Sequence, residues 1–292
     1  MGGVVLASLS GVGFGLFQTV NARSVQGASP AVASFVQLSI ASIFLLVVTL
    51  GTADITLLLY APWWASVNFA IAGILHFLGG WTLLIISQQR LGAARTSPLL
   101  ATAPLFAATS AAVVLDQALT TTTVIAILVM VAGAATISQP GSTKRQRWRW
   151  AAALPALGTA FLWAVSPAFT VKGLAGLPSP LIGVTVGLVA SVLCYGLLLR
   201  PWRSDFREVS SRGPWGLKWL AGFVVALSTL GRWAALDTTD VGVVLALGLL
   251  SVPVVLILAP LMSGRKAEQV TGRVWLGGGL VTVGALLFYL AP

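Results

Sequence analysis

The sequence predicts an all-α integral membrane protein with ten transmembrane helices, arranged as two inverted repeats of five helices each. Three observations lead to this prediction: ten long apolar runs, an alternation of basic and non-basic connections, and an internal similarity between the two halves of the chain. Only 8% of the 292 residues are charged, whereas an ordinary soluble domain carries about 25%. A water-soluble fold is therefore excluded.

Each apolar run is long enough to cross a bilayer, whose hydrocarbon core of about 30 Å needs about 20 mostly apolar residues per helix. No Lys or Arg precedes Arg23, so the first run lacks the basic region of a cleaved signal peptide, and we interpret it as the first membrane helix. The ten runs are 4–21, 31–50, 63–88, 93–115, 121–139, 151–171, 180–199, 216–236, 239–262 and 273–290.

Lys and Arg residues fall almost entirely in alternate connections between these runs. The odd-numbered connections hold 15 of the 17 basic residues, and the even-numbered ones hold only Lys172 and Arg232. By the positive-inside rule the basic connections are cytoplasmic. This predicts a multi-pass protein of the bacterial inner membrane with both termini on the outer, periplasmic face.

Composition also excludes several classes of function. The net charge of +10 does not indicate nucleic-acid binding, because the cations lie between apolar spans and form no basic face on a soluble module. A lipid-modifying enzyme is disfavoured, since one His, one Cys and seven acidic residues offer no clustered nucleophile, base or metal ligands. We therefore expect no metal, no cofactor and no enzymatic activity.

The two halves of the chain share a pattern of residues. The interval from Gly92 to Pro104 equals the interval from Val241 to Pro253, and the spacing 116–133 matches the spacing 268–284 within one residue. Because five helices per copy is an odd number, the second copy must enter the membrane from the opposite side. The predicted units are a first repeat over 1–140, a basic cytoplasmic linker over 141–150 and a second repeat over 151–292.

The order of these motifs resembles the EamA-like ten-helix members of the drug/metabolite transporter superfamily. The shared order is a hairpin ending in a short Gly-Ala-Ala step at 92–94, a helix with a central Pro, an acidic residue, and a last helix with a central Gly. Residues 161–164 (Phe-Leu-Trp-Ala) and 170–172 (Thr-Val-Lys) are also similar to the aromatic amino-acid exporter (YddG) branch. The resemblance implies export of amino acids across the inner membrane, with aromatic ones favoured.

Unusual side chains at mid-membrane depth are candidates for contact with a solute. Trp163 lies near the middle of the sixth run and Trp81 in the inner half of the third, whereas nine other Trp residues lie near helix ends, as in an aromatic belt. A central Trp either packs in the core or forms an aromatic wall for a flat solute. His76, the single histidine, either bonds a neighbouring backbone carbonyl or meets the ammonium or carboxylate of a substrate.

Further polar side chains and prolines complete the set of candidates. Gln18 and Asn21 share a face of the first helix, where they serve either helix–helix hydrogen bonding or the substrate. We add two serines to the candidate substrate contacts, and we interpret three prolines as kinks or as gating hinges with freed carbonyls. These residues are Ser166, Ser251, Pro104, Pro167 and Pro253.

No Asp, Glu, Lys or Arg falls in the middle third of any predicted span, which favours a net-neutral substrate. The sequence thus predicts an exporter of neutral amino acids or similar metabolites. It would work by alternating access around a cavity lined by helices one, three, four, six, eight and nine. Uniport and antiport both stay open. The alternatives are a broad-specificity exporter of hydrophobic drugs or neutral metabolites and a non-transporting scaffold. We expect a monomer, with a dimer as the alternative, whose partners are the lipid bilayer and the small solute.

Overall fold

The computed structural model describes residues 2–25, 29–106, 120–138, 150–198, 214–264, 268 and 270–290, which are entirely helical or connecting in structure. The predicted linker, apart from Trp150, and Asp116 lie outside the described residues. The α-helices are α1 (Gly2–Ser24), α2 (Pro30–Thr52), α3 (Leu57–Tyr60), α4 (Trp63–Gly73), α5 (Thr82–Leu91), α6 (Ala93–Leu100), α7 (Thr121–Ser138), α8 (Leu154–Gly176), α9 (Pro180–Leu198), α10 (Trp215–Thr238), α11 (Val241–Gly248), α12 (Ser251–Ser263) and α13 (Gly272–Leu290).

Seven helices in the described residues are long and apolar enough to cross a membrane by length and composition. They fall on the first, second, third, sixth, seventh, eighth and ninth predicted runs. Two shorter apolar helices, Thr121–Ile137 and Gly272–Leu287, fall on the fifth and tenth runs, and the fourth run is described only as far as residue 106. The all-helical membrane architecture is confirmed, while the count of ten helices stays a prediction.

Many large apolar side chains face outward, as expected for helices in contact with lipid. Leu9, Val47 and Leu193 are 65%, 64% and 65% exposed. A soluble monomer rarely exposes contiguous apolar surface of this extent, because water penalises it. The outer surface of the helix bundle is therefore suited to hydrocarbon.

The helices of the first predicted repeat pack mainly against those of the second. Such pairs include α1 with α10, α4 with α8, α2 with α9, α6 with α12 and α7 with α13. Exchanging the two halves would turn the α1–α10 pair into the α8–α4 pair and would leave the other three pairs unchanged. This pattern is expected of two halves related by a twofold axis. The inverted repeat itself stays a prediction.

Glycines allow several of these pairs to approach closely. A Cβ on Gly73 in α4 would overlap the backbone of Gly187 in α9, and a Cβ on Gly133 in α7 would lie 2.7 Å from the Gly277 carbonyl oxygen in α13. In a membrane, helix association depends on such van der Waals contact, because lipid tails are as apolar as the side chains themselves. The small residues that the sequence spreads through its apolar runs thus set the distances between helices.

A buried carboxylate caps the start of α6. Glu268, from the connection that follows α12, is 3% exposed and accepts a hydrogen bond from the Ala94 N–H at 2.9 Å. Gly92, with φ of +79°, turns the chain beneath it, and a Cβ there would lie 2.7 Å from the carboxylate. Burial raises the pKa of Glu268, and hydrogen bonds from the backbone of Ala94 and Ala93 oppose that rise. The cap joins the two predicted repeats at one face.

The Gly73–Gly187 contact can be tested by adding one methyl group. We expect Gly73→Ala to destabilise the protein by about 1–3 kcal/mol, because the new Cβ would force α4 and α9 apart. Gly196→Ala is the matched control, since nothing lies within 4 Å of a Cβ at that exposed position of α9. The control should gain up to about 1 kcal/mol from helix propensity. Melting curves of the purified proteins in detergent measure both, and equal effects would contradict the close contact.

The pH dependence of stability tests the Glu268 cap. Because the folded-state pKa of Glu268 is raised above its ordinary value of 4.5, the proton stabilises the folded state at low pH. That contribution is lost as pH rises from about 4.5 through the raised pKa. The melting temperature of the wild type should therefore fall over this window relative to Glu268→Gln, which cannot ionise. A constant difference between the two proteins across the window would refute the assignment.

Candidate functional site

Segments from both predicted repeats enclose a central cavity. Its lining residues come from α1, the His76 region, α6 and its continuation to Pro104, α8, α10, and α11 with the start of α12. In the order of the predicted runs, these are the first, third, fourth, sixth, eighth and ninth. The cavity has a volume of about 70 Å³, which accommodates several waters or one small solute.

Trp163 forms one wall of this cavity. Its indole N–H donates a hydrogen bond to the His76 carbonyl oxygen at 3.0 Å, and its ring stacks on the His76 ring with centroids 5.0 Å apart and planes at 18°. The ring of Phe14 packs against the indole in a T-shaped arrangement, with ring centroids 5.1 Å apart. Since its N–H is satisfied and its face is covered by the imidazole, Trp163 is held in one orientation.

His76 lies in an irregular stretch of the third span. Between α4 and α5 the helix widens to a π-helix over Ile74–Trp81. This geometry is rare in proteins overall, and where it occurs it is often at a functional site. The His76 Nδ1 lies 3.1 Å from the Ser166 hydroxyl oxygen. Ser166 is buried and is absent from the cavity lining. It therefore orients the imidazole from behind.

Gly80 provides the space for the indole of Trp163. A Cβ at Gly80 would overlap the Trp163 Nε1 and would lie 2.9 Å from its Cδ1. The π-helix thus contributes a carbonyl, an imidazole and a missing side chain to the same contact with α8. We conclude that the third and sixth spans position this wall together.

Gln18 and Asn21 have different surroundings despite their shared face. Gln18 lines the cavity, is 1% exposed, and its side-chain oxygen has no hydrogen-bond partner among the described residues. Asn21 donates to the Gln88 side-chain oxygen at 2.7 Å, and Gln88 donates to the Gln18 backbone oxygen at 3.1 Å. Asn21 thus joins two helices, whereas the Gln18 side chain faces the cavity.

The structure does not bring Trp81 to the cavity. Trp81 is 1% exposed and packs between Phe17 and Phe77, with ring centroids 5.3 Å away in both cases. Ser251, by contrast, lines the cavity at the start of α12. Among the candidate substrate contacts, therefore, Trp163, His76, Gln18 and Ser251 share the cavity, and Trp81, Asn21 and Ser166 lie outside its lining.

Two helices that border the cavity are interrupted at matched positions. After α6, residues 101–102 form a turn, and after α11, residues 249–250 do the same. Backbone hydrogen bonds between residues three apart close these turns: the Thr102 N–H donates to the Leu99 oxygen at 3.2 Å, and the Leu250 N–H donates to the Leu247 oxygen at 3.1 Å. Interrupted helices at the repeat interface are typical of substrate sites in transporters.

The three candidate hinge prolines lie in different settings. Pro104 follows the first interruption and lines the cavity, whereas Pro253 follows the second and is exposed on the outside of the bundle. Pro167 lies inside the unbroken α8 and has no N–H for the Trp163 carbonyl, four residues earlier. Their hinge role stays a prediction.

Arg232 is the residue that sequence reasoning missed. The sequence places it near a helix end, and the structure shows in addition that Arg232 lines the cavity beside Ser228 and Thr229. The absence of charged residues from the middle third of each predicted span therefore does not extend to the cavity lining, which includes Arg232. The available signal was the charge distribution, because Arg232 is one of two basic residues that depart from the alternation.

The side chains that line the cavity are consistent with binding of a small solute. Among the residues that the structure describes, the lining includes one imidazole, one guanidinium, hydroxyls and an amide, but no Asp, Glu or Cys. Nor do three His, Cys, Asp or Glu side chains come close enough to hold a metal within those residues. The arrangement can bind and orient a small solute.

Comparison with known proteins gives a family match for the first half of the chain. Residues 1–139 match the sequence model of the EamA-like transporter family, which covers the first predicted repeat. A crystal structure of another protein matches with a TM-score of 0.61 and 18% sequence identity, over 96% of this chain and 95% of that chain. At that identity the likeness shows the fold alone. No curated protein matches the chain.

The contact between Gly80 and Trp163 can be tested by a double-mutant cycle. We expect Gly80→Ala to lower the melting temperature in the wild-type background, because its Cβ displaces the indole. In a Trp163→Ala background the same change should cost at least about 0.5 kcal/mol less, since the space is then free. Gly279→Ala, where a Cβ meets nothing within 4 Å, is the control. Additive effects would disprove the contact.

Proposed function

We propose that this protein is a membrane transporter that exports small solutes by alternating access, with neutral and aromatic amino acids as the favoured substrates. The observation that carries the proposal is the cavity enclosed by segments of both predicted repeats, with the Trp163–His76 stack on one wall. The match of residues 1–139 to the EamA-like transporter family supports the same class of function.

The cavity wall favours a flat, partly apolar solute. Phe14 and the Trp163–His76 stack present aromatic edges and faces, which bind rings through offset or edge contacts worth about 0.5–1.5 kcal/mol beyond burial. The Gln18 side-chain oxygen, buried and without a partner among described residues, is suited to accept a hydrogen bond from an ammonium group. The similarity of residues 161–164 and 170–172 to the aromatic amino-acid exporter branch adds to this support.

Facilitated export needs no coupling ion, and the cavity favours this simpler mode. A proton-coupled carrier uses a buried group that binds and releases a proton, usually a carboxylate. Neither Asp nor Glu is among the lining residues that the structure describes, and His76 is the one titratable candidate there. The proposed mechanism is therefore uniport down the gradient of the cytoplasmic solute.

The alternative is export of hydrophobic drugs or neutral metabolites with broad specificity. A site of about 70 Å³ suits a small solute better than a large drug. The two proposals differ in what they predict for a neutral amino acid with a small side chain, which a drug exporter would not carry.

Flux in proteoliposomes tests the proposed function. Purified protein should give saturable flux of neutral aromatic and aliphatic amino acids, insensitive to an imposed pH gradient. Trp163→Ala should lower the aromatic flux by about tenfold, because one aromatic contact and its burial are lost. Trp219→Ala is the matched control, since Trp219 lies on α10 with 44% of its surface exposed outside the cavity.

Two results would count against the proposal. Absence of flux for every amino acid would exclude amino-acid export and leave the alternative. A loss of flux in Trp163→Ala that merely matches its loss of folded protein, as judged by gel filtration, would mean that Trp163 serves packing.

A further inference from the structure

Arg232 gives the cavity a permanent positive charge at one end. Among the lining residues that the structure describes, Arg232 is the one side chain that is charged at every physiological pH. It is partly buried and lies on the same face of α10 as Ser228 and Thr229. Arg232 lies within the candidate membrane span Trp215–Thr238. Ionisable groups inside such spans usually mark a solute path, because burying their charge costs free energy.

The level of Arg232 in the cavity follows from its neighbours on α1. The two helices run antiparallel, because Gly3 lies next to Thr239 while the Ser10 hydroxyl donates to the Ser228 carbonyl oxygen at 2.6 Å. Gly231, adjacent to Arg232, lies between the levels of Leu6 and Ser10. Arg232 is thus nearer than the stack to the end of α1 where the chain begins.

The aromatic wall lies further along α1. Phe14, whose ring meets Trp163 at 5.1 Å, follows Leu6 and Ser10 by eight and four residues. With a rise of about 1.5 Å per residue, the Arg232 level and the stack are separated by roughly 6–12 Å along the helix axis. Arg232 and the aromatic wall therefore lie at different levels of one cavity, as a solute with one charged end and one apolar end requires.

Guanidinium chemistry selects the charged end. The planar fork of Arg matches a carboxylate through two parallel N–H···O bonds, and charge-assisted bonds of this kind are about twice as strong as neutral ones. Among the described lining residues, an ammonium group finds only neutral acceptors, such as the Gln18 side-chain oxygen, and it is repelled by Arg232. Carboxylate and ammonium are therefore not equivalent in this site.

We infer that Arg232 binds the carboxylate of the solute while Trp163 and His76 receive its apolar body. A carboxylate, and not an ammonium group, is then the required feature of the substrate. The inference rests on the proposed function for transport and deepens it: the substrate class becomes apolar and aromatic monocarboxylates, of which amino acids are one kind. Carboxylates that lack an amine belong to the same class.

Three probes of one shape separate these features: phenylalanine carries both charges, 3-phenylpropanoate only the carboxylate, and 2-phenylethylamine only the ammonium. Two readouts are measured on the full chain, the thermal stabilisation of purified protein by each probe and the inhibition of phenylalanine counterflow in proteoliposomes. We expect phenylalanine and 3-phenylpropanoate to bind and to inhibit, and 2-phenylethylamine to do neither at the same concentration.

Variants then assign the effect to Arg232. Arg232→Gln should weaken binding of both carboxylates by about 10- to 100-fold, because the charge-assisted pair is lost. The affinity of Arg232→Lys for both carboxylates should lie between those of the wild type and Arg232→Gln, since Lys keeps the charge without the planar fork of Arg. Lys172→Gln is the matched control: it removes the other basic residue that departs from the alternation, and Lys172 is exposed outside the cavity lining. The control should bind all three probes like the wild type.

The outcomes separate failure of the inference from failure of the proposed transport. Equal binding of the amine and the carboxylate probes, binding of none of the three, or a loss in Lys172→Gln as large as in Arg232→Gln would each overturn the inference. Selective carboxylate binding without any flux would support the site and reject transport. If Arg232→Gln does not fold, the ranking of the probes on the wild type and on Arg232→Lys decides.

Discussion

The structure depends on the absence of hydrogen-bonding solvent in the hydrocarbon core. Each backbone N–H and C=O at that depth must find a partner within the protein, which favours unbroken helices wherever a span faces lipid. Irregular backbone is tolerated only inside the bundle. In the described residues, the π-helix over Ile74–Trp81 and the turns at 101–102 and 249–250 all adjoin the cavity. The same constraint thus builds the frame and leaves the interior as the place where backbone groups can meet a solute.

Close helix contact supplies the rest of the stability. Lipid offers no hydrophobic force between helices, so van der Waals contact and buried hydrogen bonds hold the bundle together. The Gly73–Gly187 approach joins the halves through packing, and the Asn21–Gln88 pair joins two helices of the first half through polar groups. Both kinds of contact surround the cavity without filling it. A site of about 70 Å³ can therefore persist inside a closely packed bundle.

The sequence predicts the frame well because its signals are local and physical. Run length and charge alternation identify the spans, and depth alone brings Trp163 and His76 to attention as unusual side chains. Which way a side chain faces is a different matter, because it depends on partner helices that no single run reveals. Trp81 illustrates this, since it follows His76 within the π-helix, where the 3.6-residue period no longer gives the face. Arg232 lies near the end of α10, as its run predicts, but only the packing of α10 against α1 shows that this position borders the cavity.

Alternating access by inverted halves requires two states of similar free energy. The pairing of the helices suggests why the two free energies would be similar. Exchanging the halves maps each main pair onto itself or onto another existing pair, so the opposite state could be built from equivalent contacts. Contacts without a counterpart then decide which state is favoured. The start of α6 is one such place, since Gly92 has φ of +79° beneath the Glu268 carboxylate, whereas α11 begins after Asp240 with φ of −54°. In the proposed alternating-access mechanism, these local differences would set the balance between the two states.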